Sequence, residues 1–178
     1  MREIYLDNAA TTKVRPEVKE EMLKYLDIVY GNPGSFHGIG LDAKDAIEDA
    51  RERISKILNC KSKEIVFTGG GTESINFALK GIVKAMKKSG KEKNHIITAK
   101  SEHHAVLETC EYLKKFENCE VTYLDVDEYG MVNPKDVEDA IKENTILITI
   151  MYANNEIGTI NPIENIGCLL YTSPSPRD

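Results

Sequence analysis

An open, mostly parallel α/β sheet with flanking helices is the fold class this sequence predicts, and three observations predict it. Short β-branched runs recur between Glu64 and Ala153, each too brief to be a helix. Amphipathic stripes fill the intervals, and that alternation is the pattern βαβ units write into a chain. Loops carrying Gly, His or Asn follow three of the runs directly, at the end where open parallel sheets bind ligands.

Taken in order, a first helix opens at Pro16 and carries Val18, Met22, Leu26 and Val29. Gly31-Asn32-Pro33-Gly34 then reads as a tight loop, on which Ser35, Phe36 and His37 ride as a connector. A second helix places Ala43, Ala46, Ile47, Ala50, Ile54, Ile57 and Leu58 on one face. Glu64–Thr68 (EIVFT) reads as the first strand, followed by a helix with Ile75, Ala78, Leu79, Ile82, Val83 and Met86 that Gly90 ends. His95–Ala99 (HIITA) is the second strand; Val106, Cys110 and Leu113 mark the next helix, and Glu120–Leu124 (EVTYL) a weaker strand. Asn133 and Pro134 have the form of an N-cap and first-turn proline ahead of Val137, Ala140 and Ile141. Thr145–Tyr152 (TILITIMY) closes the series as a strong strand.

The end departs from this pattern. Asn165-Ile166-Gly167 looks like the start of a helix that never completes its stripe, and CLLYTSPSPRD follows neither period. Residues 1–167 are therefore read as the native segment. Residues 168–178 are expected to be a fusion or sequencing scar on a longer natural chain.

Composition narrows the partners. The 178 residues hold 23 Lys and Arg against 29 Asp and Glu, a net charge of −6. With a pI near 5.3, the chain lacks the basic excess expected of a nucleic-acid or anionic-membrane binder. Small molecules and proteins are the expected partners. No run approaches the roughly 18 to 20 apolar residues of a membrane span, and the charged N-terminus does not suit a signal peptide, so a cytoplasmic location is expected. Cys60, Cys110, Cys119 and Cys168 match no zinc or redox spacing and read as buried or surface thiols, with no metal site expected.

The three rim loops carry the candidate chemistry. Gly69-Gly70-Gly71-Thr72-Glu73-Ser74 runs straight into a helix; its backbone amides and the Thr72 hydroxyl could hold a phosphate, or it could be a glycine turn with an N-cap. The sequence lacks the Gly-Lys-Ser/Thr of a P-loop, and Ser74 stands where a dinucleotide fingerprint needs its third glycine. His103 and His104 open another helix, whose positive end favours a neutral imidazole, though surface residues would look the same. Asn154 and Asn155 suit either a turn in αL geometry or the orientation of a ligand hydroxyl.

These segments, together with Tyr5-Leu6-Asp7-Asn8-Ala9-Ala10-Thr11-Thr12 and Gly31-Asn32-Pro33, carry a resemblance. With Phe67 to Ser74, Glu102-His103-His104-Ala105-Val106 and Asn154-Asn155-Glu156-Ile157-Gly158 they resemble, in order, the cysteine desulfurases among the class-V aminotransferase-like enzymes. The match runs from the N-terminus to about Gly167.

The resemblance implies a fold-type I enzyme dependent on pyridoxal 5′-phosphate, here a partial large domain with a mostly parallel sheet, homodimeric when complete. It implies that Gly71 and Thr72 bind the cofactor phosphate, that His103 stacks on the pyridine and shuttles protons, and that Asn155 lies beside the phenolic oxygen. The implied reaction converts L-cysteine to L-alanine and leaves the sulfur as a protein persulfide. That sulfur would pass to an acceptor or scaffold protein for iron–sulfur cluster or thio-cofactor assembly. The segments with the Schiff-base lysine, the ring-nitrogen aspartate and the nucleophilic cysteine have no counterpart among these residues, so this chain alone is expected to be inactive. A selenocysteine lyase, another class-V enzyme or a non-catalytic phosphate-binding domain are the alternatives.

Overall fold

The structure, a computed structural model, describes residues 4–91 and 93–172. The chain divides into two compact units, Met1–Phe67 and Thr68–Asp178.

In the first unit, α1 (Pro16–Asp27) begins with proline at its first turn and buries none of its residues. α2 (Gly38–Ile57) is capped by His37, whose Nδ1 accepts from the Gly40 amide at 3.4 Å. The intervening loop is tight because Asn32 accepts from Gly34 and Ser35, through its Oδ1 and its carbonyl respectively, at 2.9 Å each. Gly31 is required here for lack of space: a Cβ there would lie 2.1 Å from the Ile39 carbonyl oxygen.

Glu64–Thr68 is not a strand, contrary to the expectation. A 3-10 turn occupies Ser62–Glu64, and the residues after it make no ladder among the described residues. The Arg51 guanidinium donates to the Ile65 carbonyl and sits 4.9 Å from the Phe67 ring centroid, but no neighbouring strand pairs with the run among the described residues. An apolar extended run becomes a strand only where a neighbouring backbone completes its hydrogen bonds.

The second unit carries the expected α/β layers. β1 (His95–Ala99) is the central strand, β2 (Glu120–Leu124) and β3 (Thr145–Thr149) flank it, and both pair with it in parallel. All five β1 residues are buried, as a strand covered on both faces must be. Ile96 packs under Leu79 and Val83 of α3 (Gly71–Lys88) and under Val106, Cys110 and Leu113 of α4 (His104–Phe116). Ile97 and Ala99 face the other way, toward Val137 of α5 (Pro134–Ala140) and Ile166 of α6 (Ile163–Thr172).

Local signals set several boundaries. Asn133 caps α5 by accepting from the Lys135 amide at 3.0 Å, with Pro134 at the first helical position. Gly90, at φ 72°, ends α3. β3 stops at Thr149, short of the expected Tyr152, and its last rung pairs Thr98 with Thr149. α6 starts earlier than expected and continues through Cys168 to Thr172, carried by Ile166 in the core. The proposed scar thus begins within a helix, and its last part, 173–178, lies outside the described residues.

Candidate cofactor site

Parallel pairing puts the carboxyl ends of β1, β2 and β3 along one rim. α3 joins this rim by its N-terminus, because its C-terminal end at Lys88 feeds the start of β1 seven residues later. The glycine turn, the His103 loop and the Asn155 loop therefore share one edge of the second unit. Gly71, Thr72, His103 and Asn155 are all exposed there.

The glycine turn is shaped by two contacts. Glu73 folds back so that its carboxylate accepts from the Gly69 amide at 2.6 Å, and the Thr68 and Ser74 hydroxyls meet at 2.6 Å. Gly70 is the N-cap of α3 and supplies no side-chain acceptor. The first-turn amides of α3 are left facing outward, and a Cβ built on Gly70 or Gly71 would meet nothing within 4 Å. Open space, uncapped amides and the Thr72 hydroxyl form a donor set that fits a phosphate. Gly70 itself is extended, at φ 164°, so local backbone strain does not demand glycine; closeness to a ligand would.

His103 is the N-cap of α4, its Nδ1 accepting from the Ala105 amide at 3.0 Å. That bond fixes the ring and uses the Nδ1 lone pair, so the proton of the neutral ring sits on Nε2.

The loop after β3 is held from both sides. Asn154 donates through Nδ2 to the Ser101 carbonyl at 2.9 Å and accepts at Oδ1 from the Glu156 and Ile157 amides at 2.8 and 3.2 Å. Neither asparagine takes the αL geometry allowed for at the outset; Gly158 does, at φ 76°. Asn155 bonds its neighbour Glu156 at 2.8 Å and is otherwise exposed. Glu102 accepts at Oε1 from the Met151 amide, a second tie between the loops. Burial pushes the Glu102 carboxyl above its ordinary value, while the Met151 and His103 amides pull it back.

The structure thus joins the His103 and Asn155 loops by hydrogen bonds. Gly71 and Thr72 share the rim without bonding either loop among the described residues. Of the two residues that do the joining, Glu102 was given no role from the sequence and Asn154 was read only as a turn or ligand-orienting residue. Their signal was the position of each beside a candidate residue.

Other parts of the chain suit a phosphate less. A cleft of about 440 Å³ beyond β2 is lined by Asp125, Asp127 and Asp136, the wrong sign for an anion. A cleft of about 470 Å³ in the first unit is lined by apolar residues such as Val29, Ala46, Ile47 and Phe67, and contains none of the four candidates. Among the described residues no group of three or more His, Cys, Asp or Glu is arranged to hold a metal, and no helix is long and apolar enough to cross a membrane. Cys110 is fully buried, its thiol pushed up to about 12 by burial, and burial also raises Cys119.

Comparison with known proteins places this geometry. Residues 4–172 match the model of the aminotransferase class-V family. A cysteine desulfurase IscS of Dictyoglomus turgidum is 54% identical over 165 residues, covering 93% of this chain and 41% of that protein. The mitochondrial cysteine desulfurase of Saccharomyces cerevisiae is 46% identical, with 94% and 33% covered. Among solved structures, a NifS-like protein superposes with a TM-score of 0.85 at 43% identity, covering 92% of this chain and 44% of the other. SspA in complex with cysteine gives 0.84 at 41%, covering 92% and 46%. The chain spans about two fifths of the length of curated relatives such as this IscS protein. Class-V aminotransferases and the cysteine desulfurases among them depend on pyridoxal 5′-phosphate. With its parallel three-layer core, its open glycine turn and a family match over nearly its whole length, the chain belongs to the aminotransferase class-V family.

Proposed function

We propose that this chain is part of a pyridoxal 5′-phosphate-dependent cysteine desulfurase, which when complete converts L-cysteine to L-alanine and retains the sulfur as a protein persulfide. One arrangement supports the reading most. A helix N-terminus without a side-chain cap opens on Gly70 and Gly71, where a side chain would meet nothing within 4 Å, on the same rim as a histidine and an asparagine whose loops are bonded to each other.

In this reading the Gly71 amide and the Thr72 hydroxyl bind the cofactor phosphate, with the dipole of α3 adding to the attraction. The His103 ring stacks on the pyridine. Since Nδ1 is engaged by Ala105, Nε2 is the atom that carries or releases a proton. The Asn155 side-chain amide donates to the phenolic oxygen. When bound, the cofactor supplies an electron sink for chemistry at the substrate α-carbon.

The thiolate that takes the sulfur is not assigned to this chain's buried cysteines. Cys110 and Cys119 are inaccessible and shifted away from thiolate formation, the reverse of what a nucleophile needs. Attack on the substrate sulfur would form an S–S bond and break the C–S bond, leaving alanine once the carbon is protonated. The completed protein would act as a cytoplasmic homodimer and hand its sulfur to an acceptor or iron–sulfur scaffold protein.

The test uses the protein from the uninterrupted gene. Titration with pyridoxal 5′-phosphate should develop a visible absorbance band, and L-cysteine should then yield L-alanine and persulfide. Activity confined to L-selenocysteine would overturn the substrate assignment, and failure to bind the cofactor would overturn the whole reading.

A further inference from the structure

The β1–β3 ladder ends where the rim begins. Its last rung pairs Thr98 with Thr149, and beyond it the Lys100 amide turns to the Leu124 carbonyl at 3.0 Å, so the exit of β1 stays with β2. Backbone pairing therefore no longer holds the end of β3 to the segment leading to His103. Two side chains take over: Asn154 reaches back to the Ser101 carbonyl, and Glu102 reaches across to the Met151 amide, 49 residues away in sequence. Glu102 immediately precedes the histidine that caps α4, and Met151 lies four residues before Asn155.

We propose that Glu102 is a positioning residue whose carboxylate clamps the His103 loop to the Asn155 loop, so that both side chains meet the cofactor ring as one rigid unit. The inference rests on the functional reading given above for His103 and Asn155. A half-buried carboxyl is a costly peg, since burial disfavours its charge and leaves few partners. What it gains over an exposed residue is reach: its Oε1 replaces a ladder acceptor where the strands part. Loss of this acceptor would free the Met151 amide and let the two loops move independently, although neither loop would lose its own helix cap or turn.

Three variants of the complete protein separate reach from charge. Glu102→Gln keeps an acceptor at the same distance without charge; Glu102→Asp keeps the charge but is one methylene too short; Glu102→Ala removes both. Hydrogen exchange at the Met151 amide, measured without cofactor, should quicken by about tenfold or more in the Asp and Ala variants and stay near wild type in Gln. With cofactor bound, the Asp and Ala variants should alter the induced circular dichroism of the cofactor and lower kcat about tenfold with little change in KM, and Gln should restore both. A functional Asp variant beside an impaired Gln variant, or unchanged Met151 exchange in Ala, would overturn the clamp. Should Ala not fold, the Gln and Asp comparison decides alone. Should wild type bind no cofactor, the functional reading fails, while the exchange data still judge the clamp.

Discussion

Asn154 bonds to Ser101 at 2.9 Å across 53 residues of sequence, while its neighbour Asn155 bonds no farther than Glu156. The two asparagines are adjacent in the chain and opposite in role. Asn154→Ala removes three hydrogen bonds from a half-buried site and should cost about 2 kcal/mol in denaturant unfolding, with faster exchange of the Glu156 and Ile157 amides. Asn155→Ala removes an exposed contact and should stay within about 0.5 kcal/mol of wild type while weakening cofactor binding in the complete protein. Equal destabilisation by both would contradict this division.

The glycine turn separates fold from ligand in a similar way. Alanine at Gly70 or Gly71 meets no atom within 4 Å, so the fold should tolerate it, with a change of roughly 0 to 1 kcal/mol that favours stability at the helical position 71. The same methyl would project to the side on which the phosphate is proposed to bind. Cofactor affinity should then fall by about tenfold or more, and Thr72→Ala should cost on the order of 1 kcal/mol or somewhat more of binding because the acceptor is charged. Titration calorimetry with pyridoxal 5′-phosphate, beside thermal unfolding of each variant, reads both quantities.

These contrasts indicate which features a sequence can carry. The Asn133–Pro134 cap, the buried β1 run and the α3 stripe were legible because each is settled within one turn or one strand. Glu64–Thr68 was misread because its letters encode extension and apolarity but not a pairing strand, and none pairs with it among the described residues. The candidate site was legible where it consists of helix starts, at Gly71 and His103. Its stitching was not, since nothing near Glu102 or Asn154 announces Met151 or Ser101 half a hundred residues away.

A buried histidine at the opposite end of β1 should make the second unit sensitive to acid. His95 is fully buried, with Thr145 Oγ1 at 2.8 Å from Nδ1 and Thr122 Oγ1 at 2.8 Å from Nε2, so its ring bridges the three strands. Burial first, and the Lys142 charge second, lower its pKa from the ordinary 6.5, against an opposing pull from Glu120. Between the lowered folded value and 6.5 the unfolded chain binds more protons, so stability should fall as pH drops below about 6.5, by at most about 1.4 kcal/mol per pH unit. Glu102, shifted upward, acts with the opposite sign in the carboxylate range, where stability is lost as pH rises. The quantity to read is therefore the difference between wild type and His95→Gln in unfolding experiments across pH. That difference should shrink as the medium becomes acidic; a constant offset would exclude the mechanism.

His103 must be tested with its cap held apart from its ring. Because Nδ1 accepts from the Ala105 amide, His103→Ala removes the N-cap of α4 together with the imidazole and should destabilise by about 1 kcal/mol. Asparagine is a strong N-cap and offers an acceptor to the same amide, so His103→Asn should recover most of that loss. It supplies no aromatic face to stack on a pyridine and no Nε2 to carry a proton. In the complete protein both variants should lose turnover to a similar degree, though only the alanine variant should melt earlier. Recovery of turnover by asparagine would show that the cap is what function requires, and the stacking and proton-carrying roles of the ring would then be wrong.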